Sequence, residues 1–289
     1  MIDGYTKVCG LIGNPVGHTL SPLIHNTLAK FLGHNLVYVP FQVEHGAVQC
    51  AVDGAYGLNV LGLNVTVPYK GKVMEKLIQI DGLAEKIGAV NTLVRCGNGF
   101  KGYNTDMPGL HRALINEGIM LEGQEVILLG AGGAARAVAF MCASQRAKKV
   151  YMLNRSLDKA EAVSEEVNRK SGRECIFPMA LQDYGRLPGG KFLAIQATSV
   201  GLYPNVNDVV IEDVAFYEKI HTGYDLIYKP WDTRFMQLVR SHGGKAFNGL
   251  KMLLYQGIIA YELWNGISVS EEMALQVYNV LEREIYDEG

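Results

Sequence analysis

The run Val126-Ile127-Leu128-Leu129-Gly130-Ala131-Gly132-Gly133-Ala134-Ala135 constrains the fold more than any other part of this chain. Four apolar residues in succession, without alternation, describe a strand buried on both faces. The strand runs directly into G-x-G-x-x-A, and a helix is predicted over 134–144. Gly130 permits the tight turn, Gly132 lets the backbone approach a pyrophosphate, and Ala135 is small enough for close helix–strand packing. The helix start then presents free N–H groups and a positive dipole end to phosphate. Gly130, Ala131, Gly132, Gly133 and Ala134 are therefore candidate cofactor-binding residues. A second apolar strand over 150–153 completes a βαβ unit spanning 126–155, which points to an oxidoreductase using a nicotinamide cofactor. An NAD site usually places Asp or Glu at the end of that second strand for the ribose 2′-hydroxyl. Here Asn154-Arg155-Ser156 stands there, with Lys159 one turn on. Those cations suit a 2′-phosphate by charge and guanidinium geometry, so NADP is expected.

A chain of 289 residues accommodates two domains, each with its own core. Hydrophobic residues make up 48% and charged residues 19%, which excludes general disorder. The formal net charge of −2, from 27 basic and 29 acidic residues, gives no reason to expect a nucleic-acid or membrane-surface partner. The first residues lack the apolar stretch of a secretory signal, and the segment 252–264 is too short and too polar to span a bilayer. The five cysteines, at 9, 50, 96, 142 and 175, read as isolated reduced thiols of a cytoplasmic protein. Neither they nor the seven histidines have metal-ligand spacing, so no metal is expected.

Short apolar runs alternate with longer amphipathic ones, the pattern of an α/β fold. In the first half, strands are predicted over 8–12, 36–41 and 62–67, helices over 21–32, 46–54 and after Lys70, and a hairpin from 89–95 and 99–103. The rhythm changes near Asp106, and the stretch 249–286 reads as helical. The expected domains are 1–106 with 249–289, a discontinuous substrate-binding catalytic domain, and 107–248, a Rossmann dinucleotide-binding domain.

Hydride transfer to a carbonyl needs a proton partner. Asn64-Val65-Thr66-Val67-Pro68-Tyr69-Lys70 places Lys70 just beyond a buried strand, and Gly102-Tyr103-Asn104-Thr105-Asp106 places Asp106 at the presumed hinge. As a pair, Lys70 would bond the reacting oxygen while Asp106 holds the ammonium. Taken singly, Lys70 reads as a solvated lysine and Asp106 as a helix N-cap.

These segments, with Gly13-Asn14-Pro15-Val16-Gly17-His18-Thr19-Leu20-Ser21-Pro22, Gly88-Ala89-Val90-Asn91-Thr92, Ala197-Thr198-Ser199-x-Gly201, Tyr224-Asp225-x-x-Tyr228-x-Pro230 and Gln256-Gly257, resemble the shikimate dehydrogenase family over nearly the whole chain. The resemblance implies NADPH-dependent, reversible reduction of 3-dehydroshikimate to shikimate in aromatic amino-acid biosynthesis, and C-terminal helices that return to the substrate domain. It implies that Thr19 and Ser21 bind the substrate carboxylate, and that Thr66, Asn91, Asp106 and Gln256 bond ring hydroxyls. Lys70 sits at the reacting oxygen, and Thr198 and Gly249 join the cofactor site. A polyhydroxylated acid needs many such partners, since each one left unpaired is costly. Gln256 is the polar member of a helix face with Met252, Ile259 and Leu263; without the resemblance it reads as a core glutamine satisfied by backbone. His18 and His25 read as structural.

Thr19 stands where the family usually has Ser, Gln196 where it has Asn, and Lys229 and Arg234 are atypical. Thr19 leaves quinate open as a substrate, so a quinate/shikimate dehydrogenase using NAD or both cofactors is the neighbouring alternative. A non-catalytic regulator that senses dinucleotide or quinate is the alternative of another class. The expected assembly is monomer or homodimer.

Overall fold

The computed structural model describes residues 2–287. In chain order the elements are β1 (Lys7–Gly13), α1 (Ser21–Phe31), β2 (Leu36–Gln42), α2 (Val48–Gly57), β3 (Gly62–Val65), a 3-10 turn (Lys72–Lys76), β4 (Gln79–Ile80), α3 (Gly82–Ile87), β5 (Thr92–Cys96) and β6 (Gly99–Tyr103). There follow α4 (Asp106–Asn116), β7 (Glu125–Leu129), α5 (Gly133–Ser144), β8 (Lys149–Asn154), α6 (Leu157–Ser171), β9 (Ile176–Ala180), a second 3-10 turn (Leu181–Arg186) and β10 (Phe192–Gln196). The last are α7 (Val214–Tyr217), β11 (Ile220–Asp225), α8 (Arg234–Ser241), β12 (Lys245–Phe247), α9 (Leu250–Asn265) and α10 (Glu271–Asp287). The chain forms two compact units: residues through Leu110 with Leu253–Glu284, and His111–Met252 with the end of α10 from Ile285.

The first unit holds a six-stranded sheet in the order β2-β1-β3-β5-β6-β4. β1 pairs in parallel with β2 and β3, whereas β5 pairs antiparallel with β3 and β6. Its core gathers Val48 and Val52 of α2, Leu63 and Val65 of β3, Leu93 of β5 and Phe100 of β6. Gly62 is required by packing: a Cβ there would lie 2.1 Å from Nε1 of Trp264, which donates to the Leu93 carbonyl. The segment after Lys70 forms only a 3-10 turn, not the α-helix that its composition suggests. Its N-terminal end has no side-chain cap, and it lasts five residues. α3, which the sequence pattern does not announce, is well terminated: Asp81 caps it through the Leu83 N–H, and Gly88 closes it at φ +72°. Gly266, at φ +64°, follows the end of α9 and divides the C-terminal helical stretch in two.

The second unit is a parallel sheet ordered β12-β11-β10-β7-β8-β9. β7 starts at the centre, the chain winds outward through β8 and β9, and it then returns to β10 on the other side of β7. This is the doubly wound arrangement, with its switch point between β7 and β10. Both central strands are buried almost throughout, as helices on both faces require. Ala135, Ala139 and Ala143 are fully buried at four-residue spacing on α5, so small side chains make one face of that helix. No helix among the described residues is long and apolar enough to cross a membrane.

Candidate active site

The sheet register of the first unit brings its polar residues together. β1 and β3 run side by side with Leu11 opposite Asn64, and Asn64 in turn faces Thr92 on β5. The C-terminal ends of β1 and β3 therefore lie together. Gly13 makes this approach possible, because a Cβ there would lie 2.2 Å from Cγ2 of Thr66. Beyond β3 the chain turns back, with the Tyr69 N–H donating to the Thr66 carbonyl and the Tyr69 hydroxyl to Val43. The Val90 N–H donates to the Lys70 carbonyl, which pins the backbone carrying Lys70 beside the loop that carries Asn91.

Lys70 Nζ lies 2.7 Å from Asp106 Oδ2, with the two side chains 32% and 21% exposed. The pair is thus open enough to meet a small molecule yet shielded from full solvation. Asp106 Oδ1 accepts from Asn91 Nδ2 at 2.8 Å. The Asn91 amide also accepts from the Thr105 backbone N–H at 2.7 Å and donates to the Thr105 hydroxyl at 3.0 Å. Asp106 is the first residue of α4, and its carboxylate lies in the first turn, where the helix dipole favours negative charge.

Thr19 and Ser21 lie together at the start of α1, with the Thr19 hydroxyl donating to Ser21 Oγ and accepting the Ser21 N–H. Thr66 is half-buried. Gln256 lies on α9 with its backbone against Gly109 of α4, where a Cβ would come within 2.6 Å of Gln256 N. Its amide donates to the Leu253 carbonyl of its own helix at 2.8 Å. Asn91 is buried, and its side chain is bonded to protein groups on every side.

Beneath these residues lies a polar layer to which the sequence reading assigns no function. The Asn64 side chain accepts from Tyr38 Oη at 2.8 Å and from His25 Nε2 at 3.2 Å, and donates to Thr92 Oγ1 at 3.1 Å. His25 is fully buried and stacks on Tyr38 with ring centroids 4.2 Å apart. Burial pushes its pKa down to about 3, so the ring is neutral at physiological pH, a structural histidine. Burial raises the Tyr38 phenol well above its usual value, which keeps its proton in place as a donor. The available signal was chemical: Asn64 and Thr92 are polar residues in otherwise apolar strands.

In the second unit, Gly130 has φ +112°, a left-handed conformation that favours glycine, and a Cβ there would press on Thr198 Cγ2 at 2.9 Å. Gly132, Gly133 and Ala134 are exposed, and a Cβ at either glycine would meet nothing within 4 Å. α5 has no side-chain cap, so the N–H groups of its first turn remain available to an anion. This open, uncapped turn fits a dinucleotide pyrophosphate. Asn154 Nδ2 holds the Ser156 carbonyl at 2.8 Å, which shapes the turn after β8. Arg155 is exposed on that turn and Lys159 in the first turn of α6, and among the described residues no ion pair ties either down. A cavity of about 280 Å³ opens beside Arg155, between the second 3-10 turn and the segment 210–213. Tyr184 closes one side by donating to Asp213, and that bond lowers the carboxyl pKa.

Gln196 explains itself as a bridge. Its oxygen accepts the Thr198 N–H at 2.5 Å while its nitrogen reaches the Val200 carbonyl and Asp225. It thereby ties the loop carrying Thr198 to the end of β11. Gly249 is forced by contact, since a Cβ would lie 2.1 Å from the Leu226 carbonyl oxygen. Among the described residues nothing accounts for Arg234. Among the described residues no cluster of three or more His, Cys, Asp or Glu is placed to hold a metal ion.

The family model described as shikimate dehydrogenase substrate binding domain matches residues 11–93, and the one described as shikimate / quinate 5-dehydrogenase matches residues 113–180. A shikimate dehydrogenase (NADP(+)) of Desulforamulus reducens is 40% identical over 98% of this chain and 97% of its own. The crystal structure of the enzyme from Thermus thermophilus with NADP(H) and shikimate superposes with a TM-score of 0.82 at 30% identity, covering 95% of this chain and 99% of the other. The Listeria monocytogenes enzyme, in complex with shikimate and NAD, gives a TM-score of 0.88 at 30% identity over 97% and 98% of the two chains.

Proposed function

The chain belongs to the shikimate dehydrogenase family, and we infer from that membership and from the Lys70–Asp106 pair that it interconverts 3-dehydroshikimate and shikimate with NADP(H), a step of aromatic amino-acid biosynthesis. The first unit is the substrate-binding catalytic part and the second the dinucleotide-binding part. The observation that carries the reading is the 2.7 Å ion pair, an ammonium held beside a carboxylate and still accessible.

Bound NADPH supplies the hydride that reduces the C3 carbonyl. The Lys70 ammonium, oriented by Asp106, hydrogen-bonds the carbonyl oxygen, stabilises the negative charge that grows on it and delivers its proton, which leaves the neutral amine. In the reverse direction Lys70 takes up the hydroxyl proton. Thr19 and Ser21 hold the substrate carboxylate with their hydroxyls, and Thr66, Asp106 and Gln256 face ring hydroxyls; Asn91, expected among them, has its amide hydrogens on Thr105 and Asp106 and serves the ring by holding Asp106. Gln256 exchanges its bond to Leu253 for one to the ligand. Gly130 to Ala134 hold the pyrophosphate, with Asn154, Arg155, Ser156 and Lys159 at the ribose 2′-phosphate and Thr198 and Gly249 beside the remaining dinucleotide. The free, exposed thiols of Cys50 and Cys96 suit a reducing cytoplasm.

A spectrophotometric assay with NADP and NAD, each offered shikimate and quinate, tests the reading. Shikimate with NADP is expected to give the highest kcat/KM. Comparable rates with quinate would favour the dual-substrate alternative that Thr19 leaves open, and dinucleotide binding without turnover would favour a sensor. Lys70→Ala is expected to cut kcat by about a thousandfold or more while the far-UV spectrum is kept. Near-normal turnover would remove Lys70 from its role.

A further inference from the structure

We propose that Thr92 and Asn64, backed by Tyr38, are positioning residues for the Lys70–Asp106 pair, acting through the amide of Asn91. The proposal rests on the functional reading above. Both amide orientations are settled by backbone groups that can bond in only one sense. Asn64 Nδ2 lies 3.3 Å from the Asn91 carbonyl oxygen, which only accepts. Asn91 Oδ1 lies 2.7 Å from the Thr105 N–H, which only donates. With those two amides fixed, the Thr92 hydroxyl between them has Asn91 Oδ1 at 3.1 Å and the Thr105 hydroxyl at 3.2 Å as neighbours, and the Thr105 hydroxyl also reaches Asn91 Oδ1 at 3.2 Å. Tyr38 donates to Asn64 Oδ1 and Asn64 Nδ2 donates to Thr92 Oγ1, so the single Thr92 proton is free for Asn91 Oδ1, 3.1 Å away. Asn91 Nδ2 then spends one hydrogen on Thr105 and the other on Asp106 Oδ1, while Lys70 occupies Oδ2.

Every donor in the series faces an acceptor, and each bond polarises the next in a region screened from water. The series ends on the carboxylate that holds the reacting lysine. Thr92, Asn64 and Tyr38 are 0%, 4% and 1% exposed, so none meets a substrate, and the side-chain hydrogen bonds of Lys70 and Asp106 go to each other and to Asn91. Their action is on the direction of one N–H bond. Turning the Asn91 amide over would bring its oxygen against the Asp106 oxygen and loosen the carboxylate that aims Lys70.

Thr92→Val keeps the β-branched shape within β5 and removes only the hydroxyl. Expected is a fall in kcat for shikimate oxidation of about tenfold, with KM for shikimate and for NADP changed by less than about threefold, because a misdirected base costs turnover more than binding. Thr92→Ser restores most of the rate. Tyr38→Phe gives a smaller loss of the same kind. The double variant loses less than the product of the single losses, because both act through Asn64. The proposal is overturned by kcat in Thr92→Val within about twofold of wild type, by a loss that Ser does not restore, or by independent effects of Tyr38 and Thr92. Wild-type protein without shikimate turnover overturns the functional reading and this one with it. Active wild type with an unaffected Thr92→Val overturns this one alone.

Discussion

At the scale of single residues, the buried acid Asp225 carries a consequence that turnover assays do not reach. It is wholly inaccessible, and burial raises its carboxyl from 3.8 to about 6 against the opposing bonds from Ile227 N–H, Thr233 and Gln196. Between those two values the folded chain keeps a proton that the unfolded chain has released. Asp225 therefore favours folding most below its unfolded value, and that contribution is lost as pH rises to about 6. Asp225→Asn removes the titration and keeps the shape. Urea unfolding should show the variant gaining roughly 2–3 kcal/mol relative to wild type between about pH 4 and about pH 7. A constant difference across that range would mean that Asp225 does not titrate there. Asp225 was visible in the sequence only as a member of a motif. Its burial depends on Gln196 and Thr233, which reach it from β10 and from the start of α8, and no local pattern reports such a meeting. The same holds for Asn64 and Thr92. They are neighbours only because β3 and β5 pair in one register, whereas Lys70 stood out just beyond a buried strand and Asp106 at the change of rhythm between the expected domains.

At the scale of elements, the turn from β7 into α5 separates two uses of glycine. Gly130 needs its left-handed φ and its missing Cβ for the fold itself. Gly130→Ala should cost about 2–3 kcal/mol of stability, from backbone strain together with the contact on Thr198. Gly132 has φ −84° and open space around its missing Cβ, so Gly132→Ala should leave the melting temperature nearly unchanged. Its methyl would stand where the pyrophosphate approaches, and KM for NADP should rise by about tenfold or more, with KM for shikimate unaltered. Matched melting curves with an unchanged KM for NADP would place the cofactor elsewhere. This stretch was the most legible part of the fold, since a buried strand and a long Ala-rich helix both announce themselves by composition, and β7 spans the residues expected of it. The region 70–90 was the least legible. A five-residue 3-10 turn, a two-residue strand and a six-residue helix are each too short for a hydrophobic period to emerge. What determines them is pairing with β6 and capping by Asp81, which is tertiary and side-chain information.

At the scale of the whole molecule, the first unit is assembled from two separate stretches, through Leu110 and over Leu253–Glu284, and the second chiefly from the stretch between them. The C-terminal helices were the expected return, but their hydrophobic pattern alone could not say which sheet they cover. Trp264 says it directly, through its bond to Leu93 and its fit against Gly62. An assignment of substrate to one unit and dinucleotide to the other makes a claim about where each ligand protects the backbone, because a ligand that binds only the folded state suppresses the openings of its own site. Hydrogen exchange read by mass spectrometry on the intact protein separates the two. NADP alone should slow exchange over 126–136 and 153–160, around the open turn of α5 and the exposed Arg155 and Lys159. Shikimate alone should slow exchange over 64–70, 89–93 and 103–110, and over 253–260 where Gln256 gives up its bond to Leu253. Protection by shikimate confined to the middle of the chain would reverse the assignment of the units. Protection by shikimate at 64–110 without any at 253–260 would keep the assignment and remove Gln256 from the substrate site.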